Sequence, residues 1–116
     1  MLTIHQIMRI HQEGIELRFS RKKVMKELKG EYDPSEQEML VYIRNIESLL
    51  ELDITLLHEC IHARDDVRGK RSFLFDNQED SEVEHEALLT YTKKPEVLAF
   101  LKDIYQVKRH YRDLSG

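Results

Sequence analysis

The sequence predicts an α+β fold, mainly helical, in which a small three-stranded sheet precedes the longest helix and a second long helix follows it. Three observations lead there. Stretches with strand character, "IELRF", "GEY" and "MLVYI", all fall before residue 45. From there on, apolar residues recur at helical spacing almost to the end of the chain. At 116 residues, with 41% hydrophobic content, the chain has room for one modest core, so residues 1–116 read as one domain.

The elements follow in order. Leu2, Ile4, Ile7, Met8 and His11 recur at helical spacing and Gly14 ends the run, so the first fourteen residues predict an amphipathic helix. "IELRF" (15–19) alternates Ile15, Leu17 and Phe19, the pattern of a half-buried strand. "RKKVMKELKG" (21–30) places Val24, Met25 and Leu28 on one face and closes on Gly30, which predicts a short helix. Asp33-Pro34-Ser35 is a turn signal between "GEY" and "MLVYI", and a hairpin with its second strand at about 38–44 is the preferred reading. One long helix from 35 to 51 is the rival, because Met39, Ile43, Ile46 and Leu50 also fit a helical repeat.

Ser48 is placed to cap the next helix, which runs to about Asp65, with Asp53 a second candidate cap. Residues 67–79 predict a loop anchored by "SFLF". Ser81 caps a following helix that ends near Thr92, and Pro95 suits the first turn of a last helix over about 95–113. Val97, Leu98, Leu101, Ile104, Tyr105 and Lys108 mark the buried side of that helix.

Composition narrows the function. Charged residues make up 34% of the chain and the net charge is −4, with both signs dispersed. No basic run argues for nucleic acid. No apolar run approaches the 18–20 residues of a membrane span, and the amphipathic start lacks the apolar core of a signal peptide. A single cysteine, Cys60, makes no internal disulfide and fits a reducing compartment. These features predict a soluble, cytoplasmic protein with neither nucleic acid nor membrane as partner. They set no oligomeric state.

The chemistry gathers in "LLHECIHARDD" (56–66). His58 and His62 stand four apart, on one helix face, where two imidazoles can share one metal ion. Glu59 lies about 100° round the helix from His58. It is badly placed to bind that ion and well placed to act as general base on water beside it. Cys60 points away from both histidines and reads as a packed thiol. The alternative is a pair of core histidines satisfied by ordinary partners.

A third ligand is sought in "NQEDSEVEHEALLTY" (77–91). With Val83 set at zero, Ala87 falls at about 40°, Tyr91 at about 80° and Leu88 at about 140°, and Glu84 falls inside this apolar arc at about 100°. Glu82, His85 and Glu86 fall on the other side, between about 200° and 300°. A carboxylate within a buried stripe is costly unless paired or bound to metal, so Glu84 is the preferred ligand. Glu84 also fits a capping box with Ser81.

"HECIH" followed by "SEVEHEAL" resembles the zincin metallopeptidases of the gluzincin type, and the layout is similar to the small single-domain minigluzincins and the HExxH domains of phage-immunity regulators. The likeness spans about residues 15–92. It implies a zinc-dependent peptidase with zinc on His58, His62 and Glu84 and with Glu59 as catalytic base. It also implies a peptide or protein substrate lying as an extended strand beside the edge strand that precedes the active-site helix, here "MLVYI". The family's Glu-x-x-Ala pattern is matched by Glu84-His85-Glu86-Ala87. Many members place an aspartate four residues after the ligand glutamate, where this chain has Leu88. Glu82 with Glu86 restores an acid-to-acid spacing of four, which makes Glu82 the runner-up ligand. Asp65 and Asp66 are candidates for the acid that orients a histidine, and Tyr91, His85, His110 and Tyr111 for the oxyanion donor. The other reading is a zinc-stabilised regulatory or protein-binding domain with little catalysis, its site covered by residues 93–116.

Overall fold

The computed structural model of the chain describes residues 1–69 and 77–110, with the backbone alone for 77–79. The "SFLF" anchor, Tyr111 and the end of the tail lie outside the described residues. The fold is α+β and is built round one helix, α2 (Leu49–Val67). Ser48 is extended and its hydroxyl accepts from the Glu51 N–H at 3.1 Å, as an N-cap should; Glu51 adds negative charge to the first turn. Ten of the nineteen residues in α2 are buried. That is too many for one apolar stripe, and α2 packs against the sheet and against helices on its other sides. Asp53 is inside the helix, where its carboxylate reaches Lys102 Nζ at 2.6 Å.

Helix α1 (Ile4–Gln12) starts at a Thr3–Gln6 capping box and buries Ile7 and Ile10, and Leu2 just before the cap is buried with them. Met8 and His11, expected in the apolar face, lie at the surface. Gly14 takes φ +84°, a conformation that favours glycine, and turns the chain into β1 (Glu16–Ser20).

The sheet has the order β1-β3-β2, where β2 is Gly30–Asp33 and β3 is Glu38–Tyr42. β3 runs parallel to β1 and antiparallel to β2. The hairpin reading is therefore the observed one, and the long helix over 35–51 is not formed. In the turn, the Asp33 carboxylate accepts from the backbone N–H groups of Ser35 and Glu36. The expectation that "MLVYI" forms an edge strand is corrected: β3 is central, and Met39, Leu40, Val41 and Tyr42 are all buried. An unbroken apolar run is the mark of such a strand.

No helix forms over 21–30. This segment crosses the end of β3 to reach its far side, and its carbonyls are taken by tertiary partners instead of a helical ladder. The Asn45 side-chain amide donates to the Met25 and Leu28 carbonyls, each at 2.8 Å, and Lys29 Nζ donates to the Asn45 carbonyl at 2.7 Å.

Helix α3 (Asn77–Lys93) begins four residues before Ser81, so Ser81 lies within the helix and neither caps it nor forms a box with Glu84. Val83, Ala87 and Thr90 are its buried stripe. Pro95 opens α4 (Pro95–Ile104), which buries Val97, Leu98 and Leu101. α4 stops well short of 113: Gln106 adopts φ +54° and a 3-10 turn, Val107–His110, follows, with Val107 buried in place of the exposed Lys108. Tyr105 ties this bend to the start of β1 by donating to the Ile15 carbonyl at 2.7 Å. Among the described residues, no helix is long and apolar enough to cross a membrane.

Candidate metal centre

His58 and His62 project from α2 into an open cleft of about 1050 Å³, bounded on one side by β2 and on the other by α3. Their side chains are 18% and 22% exposed. The rings meet edge to face, and the two Nε2 atoms converge to 3.2 Å. Two nitrogens bonded to one tetrahedral zinc ion at ordinary lengths stand about 3.3 Å apart. The pair therefore has the spacing that a shared ion demands.

The tautomer fits as well. Glu84 Oε2 lies 2.8 Å from His58 Nδ1. A carboxylate only accepts, so Nδ1 donates to it, and in the neutral ring this leaves the Nε2 lone pair facing the cleft. Orientation of a metal-binding histidine through its other nitrogen is a usual partner arrangement.

Glu59 sits between the histidines and β2. It is 5% exposed. Its carboxylate and the two ring nitrogens lie within 4.8 Å of one another. Burial first, then the negative charges of Asp80, Glu31 and Glu84, push its pKa up to about 8. This carboxylate is held ready to gain or lose a proton near neutral pH. The glycine at position 30 makes the burial possible, because β2 crosses α2 at that point with no side chain between them.

On α3, Glu84 is 48% exposed. It does not lie within the buried stripe; it flanks that stripe on the side facing the histidines, with Leu88 one turn on. Glu82 is exposed and is not part of the cleft lining. The structure brings in an acid that the sequence reading passed over. Asp80 Oδ1 lies 3.2 Å from His62 Nε2 and 3.8 Å from His58 Nε2. The expected helix start at Ser81 had left Asp80 outside the helix. Its spacing of four from Glu84 was the signal available.

Arg64 and Glu86 hold α3 in this register. Arg64 Nη2 donates to Glu86 Oε1 at 2.9 Å and Nη1 donates to Oε2, a two-pronged pair. Burial raises the Glu86 pKa, but the Arg64 guanidinium outweighs it and holds the carboxyl below its ordinary value. Asp65 also accepts from Arg64, and Asp66 accepts from the Tyr32 hydroxyl at 2.6 Å. Tyr91, His85 and His110 do not line the cleft; His110 stacks on Phe19 at 4.1 Å. Cys60 is buried and its thiol is pushed up to about 12 by that burial, which makes it inert. Among the described residues, nothing beyond Leu88 lines the cleft, so α4 does not cover it.

On the cleft side the sheet ends in β2, its outer strand. The Tyr42 N–H donates to the Lys29 carbonyl, so by alternation Glu31 and Asp33 face β3 while the backbone groups of Gly30 and Tyr32 face outward. Comparison of the chain with family models, with curated proteins and with solved structures gives no match in any of the three.

Proposed function

We propose that this protein is a small zinc-dependent peptidase of the zincin type, with His58 and His62 as zinc ligands, a further ligand from α3, and Glu59 as general base. The convergence of the two Nε2 atoms to 3.2 Å beside the buried Glu59 carries this reading. A zinc ion held there supplies Lewis acidity, which polarises a peptide carbonyl and makes nearby water more acidic. Glu59 takes a proton from water as its oxygen bonds to the carbonyl carbon. It then passes that proton to the amine nitrogen as the C–N bond breaks. The outer edge of β2, at Gly30, aligns an extended substrate peptide along the cleft. This role falls to β2, since β3 has partners on both sides. The single buried thiol supports a cytoplasmic setting.

The test compares the parent with Glu59→Gln on a library of quenched fluorescent peptides. The reading predicts that the variant keeps its zinc and loses cleavage by at least a hundredfold, within the range of general-base contributions. Zinc bound in both proteins with cleavage by neither would point instead to a zinc-stabilised regulatory or binding domain.

A further inference from the structure

The zinc reading leaves the third ligand to be placed on α3, and we infer that Asp80 supplies it, while Glu84 acts as a positioning residue that holds His58 through Nδ1. The inference rests on the zinc reading and departs from the sequence expectation, which gave the ligand role to Glu84.

The geometry separates the two acids. A third atom bound to the same tetrahedral ion must approach both Nε2 atoms to about 3.3 Å. Asp80 Oδ1 stands at 3.2 Å from one and 3.8 Å from the other. Glu84 Oε2 is at the other nitrogen of the His58 ring, 2.8 Å from Nδ1. A carboxylate holding that N–H faces away from the point where the two Nε2 lone pairs meet.

The pairing follows from the helices. His58 and His62 are one turn apart on α2, and Asp80 and Glu84 are one turn apart on α3. The chain reverses between the helices, so the later histidine meets the earlier acid. The Arg64–Glu86 pair fixes that register from the side. This also accounts for Leu88 standing where a gluzincin-like reading wants an acid. The acid-x-x-x-acid pair is present one turn earlier, as Asp80 and Glu84. Aspartate has the shorter reach, and Asp80 already lies beside both nitrogens.

The test measures zinc affinity by competition with a chromophoric chelator for the parent, Asp80→Asn and Glu84→Gln. Both side chains are well exposed, and circular dichroism checks that the helices are kept. Asp80→Asn is expected to weaken zinc more than a hundredfold, and Glu84→Gln by about tenfold with one ion per chain retained. Cobalt in place of zinc gives a second readout. The intense visible bands of a four-coordinate ion should persist in Glu84→Gln and fade in Asp80→Asn. The His58 Nδ1–H proton resonance, shifted downfield by its carboxylate partner, should move upfield in Glu84→Gln alone. If Glu84→Gln abolishes binding and the cobalt bands while Asp80→Asn keeps both, the assignment is overturned and the zinc reading stands. A parent protein that takes up no zinc overturns both.

Discussion

Gly30 lies directly against Glu59: a Cβ at position 30 would stand 3.3 Å from Glu59 Cγ, 2.8 Å from Thr55 Cγ2 and 2.6 Å from the Leu40 carbonyl oxygen. The close approach of β2 to α2 buries most of the Glu59 side chain and leaves it only a narrow opening to the cleft. It also ties the outer strand of the sheet to the helix that carries His58, Glu59 and His62.

Gly30→Ala tests that closeness. The added methyl must push β2 off α2 or off β3, at a cost of about 1–3 kcal/mol, as for overpacking elsewhere. Urea denaturation should show this loss. Water admitted beside Glu59 should bring its pKa back toward the ordinary carboxylate range. An unchanged midpoint would mean that the strand moves freely at this point.

The metal-free protein has a pH dependence set partly by Glu59. Its folded pKa of about 8 lies above the ordinary 4.5. Protons are therefore bound more tightly in the folded state, and the contribution of Glu59 is fully present below about pH 4.5. It falls away as pH rises through about 8. Glu59→Gln has no such loss. The stability of the variant relative to the parent should rise across this interval by a few kcal/mol and level off above it. A difference that is flat with pH would contradict the buried, protonated state.

The Arg64–Glu86 pair should matter to both stability and zinc. Arg64 is 8% exposed, and Glu86→Ala leaves its charge without its main partner. The expected cost is roughly 2–3 kcal/mol, below that of a fully buried pair because the Glu86 side chain is partly open to solvent. Zinc affinity should fall with it, since the register of Asp80 and Glu84 against the histidines loosens. A variant that unfolds at a lower urea concentration but binds zinc as the parent does would separate the latch from the site.

The histidine pair, Glu59 and the α2 helix were legible because all of them are local: a cap, a four-residue spacing and one helix. Other parts were not. The missing helix at 21–30 depends on Asn45, a tertiary partner that takes the carbonyls at Met25 and Leu28. The central place of β3 depends on which strand the crossing segment reaches, although its unbroken apolar run pointed that way. Glu84 was directed toward the histidines by an arc of residues that the structure divides between core and cleft. Asp80 was hidden by taking Ser81 as a cap when the helix already begins at Asn77.

The central position of β3 carries its own prediction. By alternation from Tyr42, the Val41 N–H points toward β1, and Val41 is fully buried. Val41→Pro should cost about 3 kcal/mol or more, through the lost ladder bond and the clash of the ring. An edge strand would tolerate it, and a stable, soluble variant would contradict the topology.

Metal analysis of the purified protein tests the central claim most directly. After dialysis against buffered zinc, plasma mass spectrometry should find one zinc ion per chain in the parent and almost none in the His58→Ala/His62→Ala double variant, with helix content retained in both. A parent without zinc, or a double variant that keeps one ion per chain, would contradict a metal centre on these histidines.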